Sequence, residues 1–321
     1  VITTEQAHLS FAAATHPGMK GKANEDRYSV TAFQGGSHDP TPSVLAILAD
    51  GIGGHRAGEV AAQLAIENIK KYISNSPSHQ PSLVLRQALI HTNQLILNFA
   101  GANPALAGMG TTCVCAWVIG NRLYAASVGD SRLYLQRGSQ LTRLTTDHTW
   151  VQEALARGTL TQEQVKGHPN AHIIRRFLGS VHAMNPDLRL RLDPTETDVQ
   201  AEANQGLHLL PGDRLMLCTD GLTDLVGDAE ILEILRTREL DQSPTQLVDL
   251  ANQRGGHDNI TVVTLEIPHP APSSDASLIA STMAITARQK PPRSAISWWM
   301  TGLLLLAILS MVLLLIYLSY H

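Results

Sequence analysis

Apolar and polar positions along the chain separate strands from helices. The run 45–49, Leu-Ala-Ile-Leu-Ala, is unbroken and stops at Asp50-Gly51. A short apolar run bounded by turn residues reads as a strand buried on both faces. Three other stretches share the design: 214–219 runs into Asp220-Gly221, 123–129 runs into Asp130, and Asp258 opens a strand over 260–267. A carboxylate at the end of a buried strand is costly unless positive charge sits opposite it. Four aspartates at strand ends predict one cluster in the fold, and clustered carboxylates usually hold hard divalent cations.

Between strands the period changes. Residues 58–73 place Val60, Ala61, Leu64, Ala65, Ile69 and Ile73 mostly at three- and four-residue spacing, with Glu59 in the first turn and Lys70 and Lys71 in the last. Both features predict a helix. Residues 82–100 predict a second, with Leu83, Leu85, Ala88, Leu89, Leu95 and Ile96 toward the core. Residues 10–14 and 28–32 read as strands on either side of a polar, Gly-rich loop that ends in Asn24-Glu25-Asp26. A meander follows over 111–119, 122–128, 131–136 and 140–144, with hairpin-grade turns at Gly120-Asn121 and 137–139.

Asp147 is placed to cap a helix over 149–157, ended by Gly158. Residues 161–165 read as a helical turn. No long element fills 158–187, which predicts a surface flap near Asp147-His148, His168-Pro169 and Arg175-Arg176. Residues 188–192 and 197–203 read as strands, and 229–236 and 245–253 as helices capped by Asp228 and Ser243.

The pattern changes again near the C-terminus. Residues 268–297 lack apolar periodicity and carry five prolines from Pro268 to Pro292, which predicts a disordered linker after a domain over 1–267. Residues 298–318 then run without a charge. At 1.5 Å per residue they span roughly 30 Å, one bilayer core. Trp298, Trp299, Tyr317 and Tyr320 flank the run like an aromatic belt, and Arg288, Lys290 and Arg293 precede it. A single transmembrane helix with the N-terminal domain on the cytoplasmic side is the expectation.

Composition narrows the function. Formal net charge is −4 and aromatic content is 4% over 321 residues, which leaves no basic footprint or stacking platform for nucleic acid. Cys113, Cys115 and Cys218 form no C-x-x-C pair and read as buried apolar residues in a reducing compartment. Residues 1–20 contain no signal-peptide h-region.

Six motifs stand in order: N-E-D (24–26), A-D-G-I-G-G-H (49–55), G-T-T (110–112), V-G-D-S-R (128–132), T-D-G-L (219–222) and H-D-N-I-T (257–261). As a set they resemble the metal-dependent serine/threonine protein phosphatases, the PPM family of 2C type, in their bacterial form. The resemblance covers residues 9–267. It implies an α+β fold, a four-layer α-β-β-α sandwich with the metal site at one edge; the chain adds the C-terminal transmembrane helix.

The resemblance also implies a ligand set for two Mn²⁺ or Mg²⁺ ions. Asp50 would bridge both and the Gly51 carbonyl would bind one. Asp220 and Asp258 would hold the other, and Glu25 or Asp26 would complete the first, directly or through water. Asp130 with Asp220 matches the third-metal site of bacterial members, so two or three ions are expected. All-oxygen ligands favour Mn²⁺ or Mg²⁺ over Zn²⁺. Such ions lower the pKa of a shared water from about 15.7 toward 7, which supplies a nucleophile for attack on phosphorus. Asp50 and Asp220 therefore count as catalytic, with His55 a candidate proton donor to the leaving group.

Two departures qualify the resemblance. Eukaryotic members place a histidine directly after D-G, where this chain has Ile52. Members usually carry a phosphate-binding arginine five residues before the second acid of N-E-D; here Gly21 stands there, flanked by Lys20 and Lys22. A lysine supplies a point charge but no bidentate fork, so weaker phosphate binding is expected. The resulting expectation is a phosphatase acting on phosphoserine and phosphothreonine in proteins that a Ser/Thr kinase modifies. The alternatives are a catalytically weak phosphoprotein-binding signalling module of the same fold and a dinuclear hydrolase of nucleotides.

Overall fold

The structure is a computed structural model and describes residues 2–4, 7–34, 40–53, 57–76, 79–165 and 167–269. In chain order the elements are β1 (Ile2–Thr4), β2 (Ser10–His16), β3 (Arg27–Gln34), β4 (Ser43–Ala49), β5 (Gly51–Ile52), α1 (Ala57–Ser74) and α2 (Pro81–Ala102). There follow β6 (Gly110–Thr111), β7 (Cys113–Ile119), β8 (Arg122–Val128), β9 (Arg132–Arg137), β10 (Gln140–Arg143), α3 (Trp150–Ala156), α4 (Gln162–Val165) and α5 (Asp198–Ala203). The last are β11 (Leu207–His208), β12 (Arg214–Cys218), α6 (Asp220–Thr223), α7 (Asp228–Thr237), α8 (Ser243–Gln253) and β13 (Ile260–Glu266).

Among the described residues the strands form two main antiparallel sheets, ordered β1-β3-β4-β7-β8-β11 and β10-β9-β12-β13-β2. Side-chain alternation explains the layering. Along β4, Val44, Ala46 and Leu48 join Leu133, Leu215, Leu217, Val263 and Leu265 between the sheets. Leu45, Ile47 and Ala49 face the other way, into a core with Ala61, Ile69, Leu85 and Leu89 of α1 and α2. Along β12, Leu215 and Leu217 point inward, while Met216 and Cys218 meet Ile231, Leu235 and Leu247 of α7 and α8. Each central strand is thus buried on both faces, as its unbroken apolar run predicts.

Strand register gathers the motif ends. Arg27 pairs with Ala49, Leu48 with Val114, and Cys113 with Val128, so Asp26, Asp50, Thr112 and Gly129-Asp130 share one end of the first sheet. In the second sheet Cys218 pairs with Arg132 and Val262, and Ile260 with His16, which brings Asp220 and Asp258 to one end as well.

Several local expectations need correction. The strand expected over 111–119 is broken at Thr112, whose N–H and side chain serve Asp50 instead of the ladder. The helix after β10 is capped by Thr149, not Asp147, because Arg132 holds the Asp147 carboxylate in a two-pronged pair. Residues 198–203 form the helix α5, opened by a capping box of Thr197 and Gln200, and 188–192 joins no sheet. Reciprocal capping outweighs an apolar count in so short a segment. Asp228 and Ser243 are first helical residues rather than caps, which are Gly227 and Gln242. Leu83 is exposed; the buried face of α2 runs through Val84, Leu85, Ala88, Leu89 and Ile96. The short elements β11 and α6 escape sequence periodicity altogether.

The cysteines are free and buried. The linker beyond residue 269, the transmembrane span at 298–318 and His55 lie outside the described residues. Among the described residues no helix is long and apolar enough to cross a membrane.

Candidate metal centre

The centre is built from turns, each clamped by its neighbours. Asp50 leaves β4 with its backbone held on both sides. Its carbonyl accepts from the Thr112 N–H and the Thr111 hydroxyl, each at 2.8 Å, and its N–H donates to Thr112 Oγ1 at 3.1 Å. Thr112 Oγ1 in turn lies 2.7 Å from Ser131 Oγ, next to Asp130. The G-T-T motif therefore fixes the Asp50 turn against the Asp130 turn.

Gly51 must be glycine because the backbone of α1 passes against it. A Cβ there would lie 2.4 Å from the carbonyl of Gly58, and one on Gly58 would lie 2.5 Å from Glu25 Oε2. The Glu25 carboxylate thus packs against the first turn of α1. At Gly221 a Cβ would lie 2.0 Å from the Asn259 carbonyl. Asn259 staples the N-terminal loop: its Oδ1 accepts from the Glu25 N–H at 2.8 Å, and its Nδ2 donates to the carbonyls of Pro17 and Ala23 at 3.1 Å each.

Asp26 is buried, and its two oxygens differ. Oδ2 accepts from the hydroxyls of Thr261 at 2.6 Å and Thr219 at 3.1 Å. Oδ1 has no protein partner, and neither does Oδ1 of buried Asp130. Buried polar atoms are nearly always satisfied, and two buried carboxylate oxygens without a protein donor are the kind of ligand atom that suits a divalent cation.

The electrostatics agree. Burial, then the neighbouring carboxylates, pushes Asp50 well above the usual range, with Asp26, Asp220, Asp130 and Asp258 all contributing. Asp130 rises to about 8 through burial, then Asp220 and Asp147. Asp26 rises to about 7 through burial, opposed by its two threonine donors. Asp220 rises to about 6, again through burial first and then Asp224 and Asp258. Asp50 and Asp220 keep some surface open, yet protein packs densely enough around their carboxyls for burial to lead. Like charges this close favour protonation unless a cation intervenes. The residues present fit a set of oxygen-ligated divalent ions.

The sequence-predicted acids are therefore brought together: Asp26, Asp50, Asp130, Asp220 and Asp258 feel one another, with Glu25 beside the turn of Gly51. Asp258 is the exposed member, and Lys22 Nζ lies 3.6 Å from its Oδ1. Lys22 is thus at the rim of the cluster; no contact places Lys20 there. Gly21 has φ +70° and open space where a side chain would start.

Sequence reasoning missed the second carboxylate of T-D-G-L-T-D. Asp220 and Asp224 stand one helical turn apart, an i, i+4 spacing that was there to be read. His172 of the flap joins them, with ligand atoms of all three within 4.8 Å of one another and Nδ1 3.4 Å from Asp224 Oδ2. It also missed the roles of Thr219, Thr261 and Asn259, which depend on contacts across 193 to 242 residues of chain.

Comparison with known proteins points the same way. The family described as Protein phosphatase 2C matches residues 18–254. The serine/threonine protein phosphatase PstP of Mycobacterium tuberculosis (strain ATCC 25618 / H37Rv) is 37% identical over 259 residues, 81% of this chain and 45% of that protein. This chain thus spans less than half the length of that relative. The serine/threonine phosphatase stp of Listeria monocytogenes serovar 1/2a is 33% identical over 278 residues, covering 84% of this chain and 100% of that protein. Among solved structures, the catalytic domain of PstP in complex with two manganese ions superposes with a TM-score of 0.64 at 36% identity, over 81% of this chain and 99% of that one.

Proposed function

This chain belongs to the protein phosphatase 2C family, and we propose that it hydrolyses phosphoserine and phosphothreonine in proteins with a carboxylate-held set of divalent ions. The observation that carries this reading is the group of buried, mutually repelling carboxylates with two orphaned oxygens. Asp50, the Gly51 carbonyl, Asp220, Asp258 and the Glu25-Asp26 pair would hold two ions, and Asp130 with Asp220 a third. When bound, Mn²⁺ or Mg²⁺ activates a water molecule and neutralises phosphate charge.

The chain's own residues supply order and charge. Thr219 and Thr261 anchor one oxygen of Asp26 and leave the other free for the centre. Thr111 and Thr112 fix the Asp50 turn, so its carboxylate needs no reorganisation when substrate arrives. Lys22, exposed at the rim beside Asp258, offers a point charge to the incoming phosphate. His55 is kept as the candidate proton donor to the departing serine or threonine oxygen, on the family resemblance alone.

Phosphate release from a phosphothreonine peptide, with and without Mn²⁺, tests the reading beside Asp50→Asn. Metal-dependent turnover that the substitution removes is expected. Equal turnover in both would remove the metal role, and no turnover in either would leave a phosphoprotein-binding module. Competition between phosphopeptide and nucleotide separates a protein substrate from a nucleotide one.

The remainder of the chain supports a location. The charge-free run 298–318, preceded by Arg288, Lys290 and Arg293, anchors the phosphatase domain to a membrane as a single-pass protein with that domain cytoplasmic. Alkaline extraction of membranes and protease protection of sealed vesicles test this; release into the soluble fraction would overturn it.

A further inference from the structure

His148 is buried in the turn after β10 and plays no part in the ligand set above. Its backbone and ring together clasp Gly129. The His148 N–H donates to the Gly129 carbonyl at 2.9 Å, and the Gly129 N–H donates to His148 Nδ1 at 3.0 Å. Because Nδ1 accepts, the ring proton sits on Nε2, which lies 3.2 Å from Asp187 Oδ2.

Asp187 is itself fixed. It exchanges two backbone hydrogen bonds with Ser127, both 2.9 Å, and its Oδ1 accepts from Arg189 Nε at 2.8 Å. Burial opposes its ionisation, but the hydrogen bonds from His148 and Arg189 outweigh that and hold it well below the usual carboxylate range. The flap hangs from the same place: the His148 carbonyl accepts from Arg175 N–H at 2.7 Å, and Trp150 N–H donates to the Ile173 carbonyl at 2.9 Å.

On its other side the turn is pinned by Thr112. Gly129 has φ +106°, and a Cβ there would lie 2.6 Å from the Thr112 side chain. Asp130 follows directly, buried, with its unpartnered Oδ1. The turn that presents this carboxylate is therefore set by Thr112 on one face and by the His148 ring on the other.

We propose that His148 is a positioning residue for Asp130: its ring, proton on Nε2, spans Gly129 and Asp187 and so fixes the turn that offers Asp130 to a divalent cation shared with Asp220. The inference rests on the reading of Asp130 as a cation ligand. A packing role needs only the volume of the ring; positioning needs an acceptor toward Gly129.

Two substitutions separate the two bonds. An asparagine amide reaches the place of Nδ1 and accepts from Gly129, but leaves Asp187. A glutamine amide reaches the place of Nε2 and donates to Asp187, but leaves the Gly129 N–H unpaired. Calorimetric titration of the full chain with Mn²⁺ reads each site. His148→Gln is expected to weaken the weakest Mn²⁺ site at least about tenfold, and His148→Asn to stay within about threefold of wild type, with the tighter sites unchanged. Asp130→Asn should remove that same weakest site.

If Asp130→Asn removes the site and His148→Gln leaves it intact, the positioning role is overturned and the ligand reading survives. If wild type shows no such site, or Asp130→Asn keeps it, the ligand reading falls and this inference with it. Should a variant fail to fold, histidine ¹⁵N spectra of the wild-type chain decide. The His148 resonances are expected to show the Nε2–H form and to move with Mg²⁺ filling the weakest site; resonances that do not move overturn the role.

Discussion

Thr261 Oγ1 donates to Asp26 Oδ2 at 2.6 Å, as the last link of a one-way hydrogen-bond chain. Asn24 Nδ2 donates to Thr15 Oγ1 at 2.8 Å, and the Thr15 hydroxyl lies 2.8 Å from Thr261 Oγ1. With the Thr261 proton committed to Asp26, Thr15 is the donor to Thr261. Every donor points toward the carboxylate, which favours its charged form. Thr261→Val removes a hydrogen bond to a charged group, worth about 1.5 kcal/mol or more, so Mn²⁺ affinity should fall about tenfold. Calorimetric titration checks it; unchanged affinity would show that Thr219 alone suffices.

Activity and stability should move in opposite directions at Asp50. Asp50→Asn removes one of several carboxylates that repel one another. In EDTA at pH 8 the variant should melt higher than wild type, because a buried like charge is gone. With Mn²⁺ its turnover should fall at least about 100-fold, close to 3 kcal/mol of lost stabilisation. Differential scanning calorimetry and initial rates read the two effects.

The metal-free protein should lose stability as pH rises. The folded pKa values of Asp26, Asp130 and Asp220, about 7, 8 and 6, lie above the ordinary aspartate value. The folded state therefore holds more protons than the unfolded state between about pH 4 and these values. That contribution is fully present below about pH 4 and is lost as pH climbs through 6 to 8. The melting temperature in EDTA should drop from pH 5 to pH 8, and saturating Mg²⁺ should flatten the drop. A rise in EDTA would contradict the cluster.

Lys22 should matter to substrate more than to folding. Its pair with Asp258 is exposed on both sides, and such pairs add little stability. Lys22→Ala should raise KM for a phosphopeptide several-fold while leaving the melting temperature within about a degree. Gly21→Arg finds open space but must hold φ +70°, so it should lower KM while melting a few degrees lower. A KM unchanged in both would remove phosphate binding from this loop.

Much of the fold was legible because burial on two faces leaves a plain trace. The runs at 45–49 and 214–219 underlie β4 and β12, the second strand ending one residue early at Cys218, and the alternation within them divides three cores. The acids at strand ends were readable for the same reason: a charge that terminates an apolar run must be met by something. What stayed hidden depended on distant partners. Asp147 looked like a helix cap until Arg132 claimed it. The segment 197–203 reads as a strand by its apolar count, whereas the capping box of Thr197 and Gln200 makes it a helix. In the sequence His148 stands only as part of a flap, since its value lies in touching Gly129 and Asp187, 19 and 39 residues away.

Metal content and phosphate release measured on the same sample give the most direct test. The purified chain, dialysed against Mn²⁺ and freed of excess, should carry at least two ions and release phosphate from a phosphothreonine peptide; stripped of metal, it should release none. Turnover by a chain holding fewer than two ions would contradict a centre in which distant carboxylates converge to hold a reactive pair.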